Sequence, residues 1–104
     1  MTDHRAGPLS VDVDISGAFR VHGDIDIAGA PTLESYVLRS DDGSPIVLDL
    51  RDVEFIDSSG LRTLLTATRQ AQQHDTVVRL RHVGAAVRRM LAITGTSGHF
   101  EIEE

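Results

Sequence analysis

The sequence contains no cysteine and no lysine. The first absence excludes disulfides, thiolate catalysis and thiol-based redox sensing. The second excludes a lysine Schiff base and the lysine-dependent phosphate loop, because all ten basic residues are arginines. Aromatic residues are few (Phe19, Phe55, Phe100 and Tyr36), so the core must be built from Val, Leu, Ile and Ala. The start, Met1-Thr2-Asp3-His4-Arg5, lacks the apolar segment of a secretory signal, and no apolar run approaches membrane-spanning length. The expectation is a soluble, cytoplasmic protein with no membrane partner. Positive charge is also in deficit. Sixteen acids against ten bases give a net charge of −6, which argues against a nucleic-acid backbone as partner.

What remains suffices for one domain. The 104 residues are 40% apolar and 25% charged, ordinary for a globular chain with a single core. Residues 1–8, polar and containing Gly7-Pro8, read as a short mobile leader before a domain at 9–104. Leu9, Val11, Val13 and Ile15 alternate with polar residues, as in a strand exposed on one side. After a Ser16-Gly17 turn, Phe19, Val21 and Ile25 resume the alternation, predicting a hairpin. Pro31 opens a short helix that places Leu33, Tyr36 and Val37 on one face. Ile46 to Leu50 is almost uninterrupted apolar sequence, as in a central strand covered on both faces. Leu61, Leu64, Leu65, Thr68 and Ala71 or Gln72 recur at helical spacing, opposite Arg62, Thr66, Arg69 and Gln73. Thr76 to Val83 reads as a further strand. Val87, Met90, Leu91 and Thr94 line a third helix ending at Gly95, and Phe100 and Ile102 suit a last short strand. The order β-β-α-β-α-β-α-β predicts an α/β domain: a mixed sheet with an N-terminal hairpin, parallel crossovers and helices packed on it.

Few residues are placed for chemistry. The five histidines stand singly, without partners at metal-ligand spacing, so no metal or cofactor is expected. Ser58 lacks the glycine two residues before it that a hydrolase elbow has, and Gly84 and Gly95-Thr96-Ser97-Gly98 make no phosphate loop. An enzyme is not expected. Asp24 and Asp26 either hold a cation or are solvated at a strand end. Asp49, a carboxylate inside an apolar strand, needs a partner and is expected near the C-terminal sheet edge, beside the turn Asp57-Ser58-Ser59-Gly60. That turn follows the central strand and opens the amphipathic helix, setting hydroxyls beside unpaired backbone amides. A serine there is either a helix cap or an acceptor for a phosphoryl group, whose charge a helix N-terminus favours.

The stretch from Val47 to Leu61, with Asp57-Ser58-Ser59-Gly60 in it, resembles the signature of STAS domains, specifically the bacterial anti-sigma factor antagonists. Gly23-Asp24-Ile25-Asp26 is similar to a second motif of that family, usually Gly-Glu-Leu-Asp. Ala86 to Leu91 followed by Thr94-Gly95 is similar to a third. The resemblance spans about residues 9–102. It implies a regulatory binding protein in which Ser58 is phosphorylated by a serine-protein kinase that doubles as an anti-sigma factor. The unphosphorylated form would bind that kinase and release a sigma factor, and a serine phosphatase would restore it. Partner-binding positions would be Asp24, Asp26, Asp57, Ser58, Ser59, Gly60 and Arg62. A phosphoryl group adds roughly −1.5 to −2 charges at pH 7 and can repel an acidic or closely packed partner surface. The sequence departs from the family at Gly29-Ala30-Pro31, where relatives often have a capping Thr or Asn. Arg62 stands where well-known members have Gly; it pairs with a phosphate on Ser58, alters the fit to the kinase, or is a solvated helix residue. The chain ends at Glu104, where many relatives continue into another helix. The alternative is a STAS domain without the switch, a subunit of a transport or lipid-transfer assembly or a nucleotide sensor.

Overall fold

The expected element order is found in the computed structural model, which describes residues 9–40 and 42–103. Its elements are β1 (Ser10–Val13), β2 (Phe19–His22), α1 (Ala30–Leu38), β3 (Ile46–Asp52), α2 (Ser58–Gln73), β4 (Val78–Arg81), α3 (Ala85–Thr94) and β5 (Glu101–Ile102). A 3-10 turn at Ser97–His99 precedes the last strand. The leader expected at residues 1–8 lies outside the described residues, as do Asp41 and Glu104.

The strands lie in chain order, β1-β2-β3-β4-β5, in one sheet. β1 and β2 pair antiparallel and every later pair is parallel. The three crossovers therefore step across the sheet in one direction, and right-handed connections set all three helices on one face. The burial pattern agrees. Ile46, Leu48 and Leu50 of β3 and Val78 and Leu80 of β4 are buried, while Arg51 is exposed and Arg79 and Arg81 are half-buried. The expectation that β3 is covered on both faces is thus corrected: helices cover one face, and charged side chains make up the other.

On that open face Asp49 stands in register with Arg20 of β2 and Arg81 of β4. Its buried carboxylate accepts hydrogen bonds from Arg51, from Nε at 3.3 Å and the backbone N–H at 3.1 Å, with Nη2 3.1 Å away. Burial pushes the Asp49 carboxyl up; the Arg51 side-chain and backbone hydrogen bonds and charge outweigh it and hold the group below its ordinary value. Asp49 is a paired strand residue, not the neighbour of the Asp57 turn that its sequence position suggests. Beside it, Arg79 of β4 pairs with Glu101 of β5, and Arg81 with Glu103 just beyond that strand. His22 lies between Asp12 at 3.0 Å and Asp52 at 3.1 Å, and Arg20 also reaches Asp52.

Two boundaries and one buried face differ from the sequence reading. β1 ends at Val13, and the Asp14 carboxylate accepts the Ser16 and Ala18 N–H groups, folding the hairpin so that Val13 and Ile15 are exposed. β4 ends at Arg81 because His82 is left-handed (φ 56°), outside strand geometry. In α2 the buried stripe is Gly60, Thr63, Leu64, Ala67, Thr68 and Ala71, with Leu61 and Leu65 only half-buried. Small residues at the centre of that stripe let the helix approach its neighbours closely. In α1, Leu33 and Val37 are buried as expected, and Tyr36 packs edge-on against Phe19 of β2 at 6.0 Å between ring centroids.

Candidate functional site

The site begins where β2 stops. After His22 the chain leaves the sheet, and Ile25 returns to pair with the segment following β3 instead of extending β2. Ile25 forms a parallel bridge with Ile56. The Ile25 N–H donates to the Phe55 carbonyl at 3.0 Å, and the Asp57 N–H donates to the Ile25 carbonyl at 3.2 Å. Ile25, Val53 and Ile56 are buried, so apolar side chains anchor both segments from below. This places the Asp24–Ile27 and Phe55–Asp57 segments side by side at the C-terminal edge of the sheet.

Asp57 is the N-cap of α2, in extended conformation. One carboxylate oxygen accepts the N–H groups of Ser59 (2.9 Å) and Gly60 (3.0 Å), and the other accepts the Ile27 N–H at 3.2 Å. The same side chain thus satisfies two of the amides a helix start leaves open and ties the neighbouring loop to the helix. The cap is therefore Asp57, which settles the capping half of the alternative that the sequence left open for the serine.

Ser58 occupies the first helical position. It is exposed, and its hydroxyl makes no hydrogen bond among the described residues. Ser59 is half-buried in the first turn, and its carbonyl accepts the Thr63 hydroxyl at 3.3 Å. Gly60 is buried: an added Cβ would collide with the Ile25 carbonyl oxygen and lie 2.8 Å from the Ile56 side chain. Its place is in the packing beneath the turn. Asp26 folds the loop before α1, one carboxylate oxygen accepting the Ala28 N–H at 3.1 Å and the Gly29 N–H at 2.8 Å. Asp26 thus supplies the tie missing at Gly29, which caps α1 without a side-chain hydrogen bond. Asp24 is half-buried beside it. Arg62 is exposed, one helical turn beyond Ser58, and forms no hydrogen bond or ion pair among the described residues.

The structure therefore brings Asp24, Asp26, Asp57, Ser58, Ser59 and Arg62 to one edge. It adds two residues that sequence reasoning missed. Ile27 and Phe55, 75% and 50% exposed, belong to the paired segments that carry Asp57. The signal was present: Phe55-Ile56 and Ile25-Asp26-Ile27 supply more apolar side chains than the inner side of one short bridge can cover.

A five-stranded mixed sheet with helices on one face and a capped serine turn at its C-terminal edge defines a small, single-domain α/β protein. The STAS domain model matches residues 10–104, and the chain belongs to that family. An anti-sigma factor antagonist from Mycobacterium paratuberculosis is 28% identical, with a TM-score of 0.74 over 98% of this chain and 89% of that one. The Bacillus cell fate determinant SpoIIAA in its phosphorylated form has the same fold at 13% identity, with a TM-score of 0.63 over 92% of this chain and 91% of that one. A sulfate transporter family protein from Wolinella succinogenes shares it at 18% identity, with a TM-score of 0.66 over 76% of this chain and 66% of that one. Among the described residues no helix is long and apolar enough to cross a membrane.

Proposed function

We propose that this chain is an anti-sigma factor antagonist switched by phosphorylation of Ser58. Unphosphorylated, it binds an anti-sigma factor that is also a serine-protein kinase, and so frees a sigma factor in the cytoplasm. Phosphate on Ser58 ends the binding, and a serine phosphatase restores it. Ser59, Asp24, Asp26 and Arg62 belong to the contact surface, while Asp57 and Gly60 hold it in shape.

The observation that carries this reading is the free hydroxyl of Ser58. A serine at a helix start is ordinarily a cap, but here Asp57 caps the helix and leaves Ser58 exposed and unpartnered. A phosphoryl group at that position sits over a helix N-terminus, where negative charge is favoured, so modification leaves the fold intact. The likeness to an antagonist at 28% identity supports the same conclusion. Three surface cavities of about 430, 210 and 360 Å³ are lined by residues outside the turn, from Arg81 to Glu103, around Thr68 and Phe100, and between Phe19 and Pro45.

The test is incubation with ATP and the histidine-kinase-like ATPases of the source genome, read by intact mass and fragment mapping. Wild type should gain one phosphoryl group on Ser58, Ser59→Ala should gain it as well, and Ser58→Ala should gain none. Ser58→Ala should also bind the kinase constitutively. Phosphate on Ser59, or none on any residue, overturns the reading in favour of a STAS subunit without a switch, a role the shared fold of the transporter-family protein also permits.

A further inference from the structure

We propose that Ile27 and Phe55 are the apolar anchors of the surface around Ser58, that the partner meets them with an apolar patch rimmed by basic side chains, and that phosphate on Ser58 breaks the contact because it must be desolvated there, not because it repels the partner's charge. This rests on the antagonist reading above and concerns how that same site works.

Three observations point to it. Ile27 and Phe55 stay exposed although both segments are pinned: the Ile27 N–H is held by the Asp57 carboxylate, and Phe55 holds the Ile25 N–H. Apolar side chains on a backbone already held in place need no loop ordering on binding, and desolvated anchors of this kind carry most of an interface's energy. Second, the ionic surroundings are predominantly acidic. Asp24, Asp26 and the exposed Glu54 flank the two anchors on a chain of net charge −6, and Arg62, one helical turn beyond Ser58, is the single cation among the residues assigned to this surface. Complementarity selects a basic partner, and a basic partner would attract a phosphate at a distance, not repel it. Third, the Asp57 charge is already met by three backbone N–H groups and the helix start, so it adds little repulsion of its own. What remains is burial. A dianion beside Ile27 and Phe55 must shed its hydration when an apolar partner surface closes over it.

The experiment is calorimetry against the kinase that phosphorylates the wild-type chain, at about 0.05 and 0.5 M NaCl, a range over which long-range electrostatics are largely screened out. Ile27→Ser and Phe55→Ser should each weaken binding about tenfold or more; the melting temperature should stay near wild type for Ile27, which is 75% exposed, and fall by a few degrees for Phe55, half of whose surface is covered in the free protein. Phe55→Leu, which keeps the apolar surface, should stay within a few-fold of wild type. Affinity of the unmodified chain should fall with salt, as expected of an acidic rim on a basic partner. The ratio of affinities with and without phosphate on Ser58 should hold or widen between the two salts. The inference is overturned if the serine variants bind as wild type does, or if the phosphate ratio collapses toward one at high salt. A wild-type chain that no such kinase binds or modifies refutes the antagonist reading itself, and this inference falls with it.

Discussion

Replacing glycine by alanine inside a helix ordinarily stabilises a protein by up to about 1 kcal/mol. At Gly60 the structure reverses that sign. The added Cβ would run into the Ile25 carbonyl oxygen and lie 2.8 Å from both the Ile25 and Ile56 side chains. The obstacle is backbone, and it is held in place because the same carbonyl accepts the Asp57 N–H at 3.2 Å. Relief requires α2 to lift away from the Ile25 segment. Overpacking of this kind costs about 1–3 kcal/mol, and the strained hydrogen bond adds about 1 kcal/mol. Against the helical gain, the net loss is about 2 kcal/mol. For a domain of about 100 residues that lowers the melting temperature by roughly 8–16 °C. Thermal unfolding followed by circular dichroism measures it. Gly98→Ala is the control, since no atom lies within 4 Å of a Cβ there and melting should hardly move. If Gly60→Ala melts at or above wild type, the close approach of α2 to Ile25 is wrong, and with it the pinning of the Ser58 turn.

Two further outcomes follow from named contacts. Asp57→Ala removes the cap and the tie to Ile27, and should lower stability by about 0.5–2 kcal/mol; Asp57→Asn, which keeps an acceptor oxygen, should recover part of it, both read from urea unfolding at unchanged slope. Asp49 has a folded-state pKa below its unfolded value, so its pairing with Arg51 stabilises the fold above the unfolded pKa of about 3.9 and is lost as pH falls through the folded value. Stability measured from pH 7 down to 2 should therefore lose an acid-side increment in Asp49→Asn relative to wild type, and identical acid limbs would refute the assignment.

Much of this arrangement was legible because apolar periodicity and turn residues agree with the final packing. The strand read from Thr76 to Val83 is found at Val78–Arg81, and Gly95, left-handed with φ 70°, ends α3 where the helical pattern stops. The Asp57–Gly60 turn was legible as a helix start. What escaped was set by tertiary register. The apolar run at Ile46–Leu50 looks two-faced in one dimension, yet Val47 and Asp49 face a surface whose charges come from β2, β4 and β5. The Arg79–Glu101 and Arg81–Glu103 pairs join residues 22 apart and arise only from the β4–β5 alignment. The bridge between Ile25 and Ile56 is likewise invisible locally, since alternation alone extends β2 through Ile25. That bridge decides the site, because it carries Ile27 and Asp57 to hydrogen-bonding distance.

The division of labour at that bridge explains how one position can be modified without refolding the domain. A phosphoacceptor that also capped its helix would take the cap away whenever it reacted. Here Asp57 holds the helix start, Gly60 admits the Ile25 backbone beneath it, and Ser58 has no partner to lose. The helix dipole then favours the added charge at the first helical position, typically by 0.3–1 kcal/mol at exposed sites, about the scale of a surface contact and far below a domain's stability of about 5–15 kcal/mol. Free energy introduced at Ser58 therefore has little hold on the fold and is expressed at whatever surface closes over the turn. A subunit with a purely structural task would gain nothing from an exposed, uncommitted hydroxyl between a cap and a packing glycine. Under the proposed function, the separation of those three roles over Asp57, Ser58 and Gly60 is what would let Ser58 switch binding without disturbing the fold.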